Sequence, residues 1–190
     1  LGEDMDNNNQ KTKLFAIKEM EWGVNSETNT TYMNYEFDID SLYSTMVKLD
    51  YLNRINPMKP INLNISSYGG DVYAMLGLID YIRHMVPKVN THCVGTCMSA
   101  ASVLLACGTG ERTLTRHSTV MVHEGSAFEQ GKSSDVMRGV EHLKDLQKDI
   151  NVLLASVTKK DRDFWEDIQR NDTYLSAEQC LEYGLVDRII

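Results

Sequence analysis

The chain has 190 residues, 42% of them hydrophobic and 24% charged, with a formal net charge of -8. That length holds one hydrophobic core, and the balance is that of an ordinary globular protein rather than a disordered or fibrous one. An acidic excess without clustered Lys and Arg excludes a duplex nucleic-acid binder, and the longest apolar run, Met98 to Cys107, is far too short to span a bilayer.

Residues 1–13 are polar, Asn-rich and aperiodic, and are expected to form a flexible N-terminal arm. No charged-then-apolar leader opens the chain, so a cytoplasmic protein is expected. From Leu14 onward a single domain, residues 14–190, is expected to alternate strands and helices. An extended segment is expected near Leu14 to Met20, a polar linker at Asn25 to Thr31 and a strand near Tyr32 to Phe37. Asp40 or Ser41 can cap a helix running to about Leu52, because Leu42, Met46, Leu49 and Leu52 share one face and Asn56-Pro57 follows as a breaker. Ile61 to Ile65 alternates as a strand.

Gly69-Gly70 breaks that strand, and Val72, Met75, Leu76, Ile79, Ile82 and Val86 then recur at helical spacing before Pro87. Val89 to Val94 reads as a second strand, Gly95 as a turn, and Met98 to Cys107 as a buried helix closed by Gly108. The repeated strand, glycine turn, helix unit predicts a parallel sheet. Glu111 to Thr115 and Thr119 to His123 read as short strands. Ser133 can then cap a long amphipathic helix carrying Val136, Val140, Leu143, Ile150 and Val157. Ser176-Ala177-Glu178-Gln179 has capping-box spacing, its helix stops at Gly184, and Leu185 to Ile190 returns as a strand.

Cys93, Cys97, Cys107 and Cys180 lack the spacing of a zinc site and are expected to be reduced, buried fillers, with a catalytic thiol at Cys97 as the alternative. No metal or cofactor is expected. A serine hydroxyl is a poor nucleophile unless a histidine takes its proton and a carboxylate fixes the imidazole. Ser99 lies four residues after Gly95 at the start of an apolar helix, where amides point toward developing negative charge. His123 ends a strand and Asp172 lies in a loop. Taken singly, Ser99 is equally a helix cap, His123 a half-buried strand end, Asp172 a turn former and Gly69-Gly70 an ordinary turn. Their ordered set is what points to hydrolysis.

The segment from Ile61 to Ile190, roughly two thirds of the chain, resembles the Clp protease proteolytic subunit (ClpP) family. The family's Asn-Ser-Pro-Gly-Gly turn stands here as Ser66-Ser67-Tyr68-Gly69-Gly70, and its Gly-x-x-x-Ser elbow as Gly95 to Ser99, followed by Leu104-Leu105 and Gly108. Met121-Val122-His123, Gln130-Gly131, Asp172 to Ala177 and Glu182 to Asp187 complete the likeness. The resemblance implies an α/β spiral of β-β-α units, shared with crotonases, with the helix Ser133 to Thr158 as the handle joining two rings. It implies a serine endopeptidase with Ser99 as nucleophile, His123 as base and Asp172 as orienting carboxylate. The amides of Gly70 and Ala100 would form the oxyanion hole, and Gly69, Gly70, Phe128, Gln130 and Gly131 would bind peptide. Partners implied are unfolded proteins or peptides, a homo-oligomer of heptameric rings stacked as a tetradecamer, and an unfoldase ATPase.

Several positions depart from the family. Its His-Gln-Pro becomes His123-Glu124-Gly125; a carboxylate that came close to the imidazole would favour the imidazolium and move activity to higher pH. Positions matching the apolar ATPase-docking pocket read Asn62, Asn64, His92, Thr113 and Thr115, a polar lining that argues against docking of the usual hydrophobic loop. Three alternatives stand beside the protease: a catalytically silent scaffold subunit, a crotonase-fold acyl-CoA enzyme using carboxylates, and a Ser-Lys protease on the same scaffold.

Overall fold

The computed structural model of the protein describes residues 14–126 and 130–190. The arm expected at residues 1–13, and Phe128, lie outside them. An eight-stranded, mostly parallel sheet runs in the order β1-β2-β3-β4-β5-β8, with β6 pairing β4 and β7 pairing β6. The strands are β1 (Val24–Asn25), β2 (Thr30–Met33), β3 (Ile61–Ser67), β4 (Val89–Met98), β5 (Arg112–Leu114), β6 (Thr119–Val122), β7 (Thr173–Leu175) and β8 (Arg188–Ile189). Ile61, Leu63 and Ile65 alternate inward on β3 and are fully buried, as the period of a half-covered strand requires.

Residues 14–22 form helix α1, not the extended segment expected from their apolar content. Ala, Lys, Glu and Met lose little rotamer freedom in a helix. The segment docks through buried Glu19, whose carboxylate accepts from the Tyr51 hydroxyl at 2.9 Å, while Leu14, Phe15 and Ile17 stay exposed. Thr30 and Thr31, expected in a linker, belong to β2; they pair with Asn62 and Leu63. Helix α2 (Ile39–Ile55) is capped two to three residues earlier than expected, by Asp38, in a reciprocal box with Ser41. Helix α3 (Val72–His84) starts at Asp71 and buries Met75, Leu78, Ile79 and Ile82 on the sheet.

Gly95 does not end its strand. It adopts φ +92° inside β4, and the β3–β4 register shifts around it, between Ile65 and Ser67. A bulge of this kind re-aims a strand without stopping it. Before the bulge β4 pairs with β5, and after it with β6. The wholly buried α4 (Ala100–Ala106) follows.

Helix α5 (Ser133–Val157) starts after Lys132 and buries only Ile150, Asn151 and Leu154, all in its second half. Residues 133–149 include no fully buried residue; Leu146 packs at the edge of the core and His142 Nε2 meets the Tyr73 hydroxyl at 2.9 Å. Helix α6 (Arg162–Ile168) is a short turn anchored by fully buried Trp165, whose indole donates to Thr158 Oγ1 at 2.9 Å. The capping box at Ser176 and Gln179 opens α7 (Ala177–Tyr183), and Gly184 ends it in the left-handed region.

Arg112 ties these elements together. One guanidinium nitrogen donates to the carbonyls of Ala106, Val157 and Gly184, at 3.1, 2.7 and 2.9 Å, which are the C-terminal ends of α4, α5 and α7. Its other nitrogens grip Asp187 at 3.1 and 2.5 Å. Helix C-termini carry partial negative charge and unsatisfied carbonyls, so one cation answers all three.

The face of the sheet away from α3 carries a polar ladder. Asn90 donates to Asn62 Oδ1 at 2.9 Å, and His92 Nδ1 meets Thr113 Oγ1 at 2.6 Å. Burial, more than the opposing pull of Glu111, holds the His92 imidazole below its ordinary value, and Arg188 adds to the lowering. The unfolded chain therefore takes up this proton first as pH falls. Stability that is whole above about pH 6.5 is lost from there down through the folded value. His92→Asn is expected to flatten the fall of Tm below pH 6.5, measured by thermal unfolding at fixed protein concentration. Parallel curves for the two proteins would count against it.

Candidate active site

Strand register brings three distant residues together. Met98 on β4 pairs with Met121 on β6, and the Ser99 amide donates to the Met121 carbonyl at 2.8 Å. Val122 on β6 pairs with Thr173 on antiparallel β7, so the next residue on each strand sets His123 opposite Asp172. The result is a chain of contacts: Ser99 Oγ lies 2.8 Å from His123 Nε2, and His123 Nδ1 lies 3.3 Å from Asp172 Oδ1. The second contact is the looser one, and such bonds often tighten only when substrate is bound. Three quarters of the imidazole is shielded, whereas the Asp172 side chain is 63% exposed.

Ser99 has φ 54° and ψ -125°, a backbone state that a non-glycine residue rarely adopts. It is held there from both sides. Its amide is tied to β6, and the Gly69 backbone presses on it so closely that a Cβ at Gly69 would stand 2.7 Å from Ser99 Cβ and 2.8 Å from the Met98 carbonyl. Gly70 is fixed by a different neighbour, since a Cβ there would meet the Phe37 backbone at 2.5 Å. Gly69→Ala is expected to push Ser99 off the imidazole and lower activity at least about 100-fold, because misplacement by about 1 Å costs that much. Turnover of a fluorogenic peptide, with circular dichroism to confirm the fold, measures it; activity within threefold of wild type would refute the packing explanation.

The amides of Gly70 and Ala100 donate to no backbone carbonyl among the described residues. They border a cleft of about 810 Å³ that also exposes Ser99 and His123. Its floor includes Met75, Val103, Met121 and Ile150, and Glu124, Lys144 and Gln147 reach its wall. Gln130 and Gly131 are exposed just before α5 and do not line this cleft. The condition set for Glu124, a carboxylate close to the imidazole, is not met by a direct contact. Among the described residues its carboxylate makes no hydrogen bond or ion pair with the imidazole, whose polar partners are Ser99 and Asp172.

All four cysteines are free and buried. Burial pushes the Cys97 thiol well above its ordinary value and Cys107 up to about 11, so neither supplies a thiolate near neutral pH. Among the described residues, no cluster of three His, Cys, Asp or Glu side chains is arranged to hold a metal ion. Nor is any of their helices long and apolar enough to cross a membrane.

The mixed α/β architecture and this Ser-His-Asp arrangement are those expected of a hydrolase on the spiral scaffold. Residues 26–190 match the family described as Clp protease, and the chain belongs to that family. It is 34% identical over 146 residues to the ATP-dependent Clp protease proteolytic subunit 1 of Prochlorococcus marinus, covering 76% of this chain and 75% of that one. It is 32% identical over 161 residues to the ATP-dependent Clp protease proteolytic subunit of Bacteroides thetaiotaomicron, covering 84% and 73%. The subunit 1 of Salinibacter ruber is 36% identical over 147 residues, covering 77% and 63%.

Proposed function

We propose that this protein is a serine endopeptidase that hydrolyses unfolded proteins or peptides inside an oligomeric chamber. The observation that carries this reading is the 2.8 Å contact between Ser99 Oγ and His123 Nε2, with Asp172 on the other ring nitrogen. His123 takes the Ser99 proton as Oγ attacks the scissile carbonyl. Asp172 fixes the imidazole tautomer and stabilises the imidazolium. The amides of Gly70 and Ala100, at the cleft and without backbone partners, receive the developing oxyanion. The imidazolium then protonates the leaving amine, and water attacking the acyl-enzyme repeats the sequence.

The unburied first half of α5 supports its role as the handle between rings, with the family's stacked heptamers as the assembly. Four buried free thiols fit a cytoplasmic setting. The names of the relatives support work with an ATPase. Asn62, Asn90 and His92, the half-buried members of the hydrogen-bonded ladder, disfavour a hydrophobic docking loop, because covering their polar groups without new bonds costs free energy; Thr113 is already fully buried beneath them. Micromolar capture of such a loop by this protein would contradict that part.

A fluorophosphonate probe tests the chemistry. Wild type is expected to be labelled at one serine and Ser99→Ala not at all. A crotonase-type acyl-CoA enzyme or a silent scaffold predicts no labelling of either, and native mass spectrometry reports the assembly.

A further inference from the structure

The backbone just after His123 is held by a side-chain network that the proton relay itself does not use. The Gly125 amide donates to Gln147 Oε1 at 2.9 Å, and the Glu124 amide donates to the Gln169 carbonyl at 2.6 Å. Gln147 Nε2 in turn donates to Asn151 Oδ1 at 3.0 Å. Gln169 Nε2 donates to the same Asn151 oxygen at 2.9 Å and to the Trp165 carbonyl at 2.8 Å. Asn151 and Gln169 are 3% and 4% exposed. Buried amides linked in this way form a rigid unit, because breaking one contact strands its partner away from water.

The network therefore touches both flanks of the triad. It grips the two residues that follow His123, and Gln169 begins the short loop that ends at Asp172. Gly125 is the weak point, since a glycine surrenders more backbone freedom on ordering than any other residue. Among the described residues Gln147 is the one side chain bonded to its amide, and it stands on α5, outside the strands that carry the triad.

We infer that Gln147 is a positioning residue: by accepting the Gly125 amide it fixes the His123 imidazole between Ser99 and Asp172 and makes that geometry depend on α5. The inference rests on the serine-protease reading of the site. Loss of the clamp frees the backbone one residue beyond Glu124, so the imidazole samples orientations in which Nε2 is out of line with Ser99 Oγ. Gln147 itself stands on the cleft wall, but Gly70 and the apolar floor, where peptide would lie against Ser99, are untouched. The effect should fall on kcat and leave KM in place.

Three variants test it with a fluorogenic peptide and with the rate of fluorophosphonate labelling. Gln147→Leu keeps the volume and removes the acceptor; kcat and the labelling rate are expected to fall about 10- to 100-fold with KM within twofold. Tm and native mass are expected to stay at wild-type values. Gln147→Glu retains an acceptor and is expected to stay within fivefold of wild type. Adding Gly125→Pro to Gln147→Leu stiffens the same residue without needing its N–H, and is expected to recover about tenfold. Gly125 is not among the glycines in the left-handed region, so its φ has the sign that proline requires.

Wild-type kcat in Gln147→Leu overturns the inference, as does a loss confined to KM. A lowered Tm in Gln147→Leu passes the decision to the other two variants, and equal loss in Gln147→Glu with no recovery by proline then overturns it. If wild type is labelled and Ser99→Ala is not, the protease reading survives any of these failures. If wild type is never labelled, the protease reading falls first.

Discussion

On the proposed mechanism, alanine at Ser99 is expected to cut peptide turnover by about six orders of magnitude, by analogy with serine proteases in which the nucleophile acts as part of a unit. His123→Ala is expected to cost about as much, and the double variant no more than either, because the two side chains perform one proton transfer. Asp172→Asn is expected to cost less, about two to four orders. Its carboxylate is largely in water and 3.3 Å from the ring, so solvent already shares the work of supporting the imidazolium. Rates from a fluorogenic peptide, with native mass to show intact assembly, decide the point. Turnover above about 1% of wild type in Ser99→Ala would sink the triad mechanism.

Arg112→Met is expected to produce the largest loss of stability of any single change outside the core. It strands three helix-terminal carbonyls and half of the Asp187 pair in a site where the arginine side chain is only 15% exposed. Removing one partner from such a cluster costs about 3 kcal/mol or more, since the remaining polar groups stay desolvated. For a chain of this length that lowers Tm by about 6–12 °C. The Arg112 guanidinium also holds the Asp187 carboxyl below the usual carboxylate range. The pair's contribution is present above the unfolded carboxyl value and is lost as pH falls through the folded one, so the gap between Arg112→Met and wild type should narrow in acid. Thermal unfolding at neutral and acidic pH measures both effects, and a Tm within 2 °C of wild type at neutral pH would refute the clustering argument.

Much of the site was legible because its parts are local and chemically distinctive. Gly69 closes β3 ahead of α3, Ser99 stands between β4 and α4, and His123 and Asp172 flank apolar strands. Their contact depends on long-range register between β4, β6 and β7, which no periodicity encodes. β7 has three residues and α6 seven, too short to show a pattern, and α6 is defined by the tertiary burial of Trp165. Residues 14–22 misled because their apolar side chains remain at the surface, so the usual link between hydrophobicity and a half-buried strand does not hold there. Glu124 stayed open for another reason: adjacency along the chain says nothing of where a carboxylate points. Gln147 gave no signal, since a glutamine on an amphipathic helix looks like solvated surface until the Gly125 amide is found beneath it.

The leading seventeen residues of α5, 133–149, include no fully buried residue and meet their own protomer through side chains such as His142, Leu146 and Gln147. A free helix near that length is only marginally stable in water. A dispersed subunit would thus keep its folded body while this stem frays, and the last turn to loosen would be the one bearing Gln147. In the stacked-ring assembly proposed above, the rest of that order would come from neighbouring subunits, and a solitary copy would idle until company arrives.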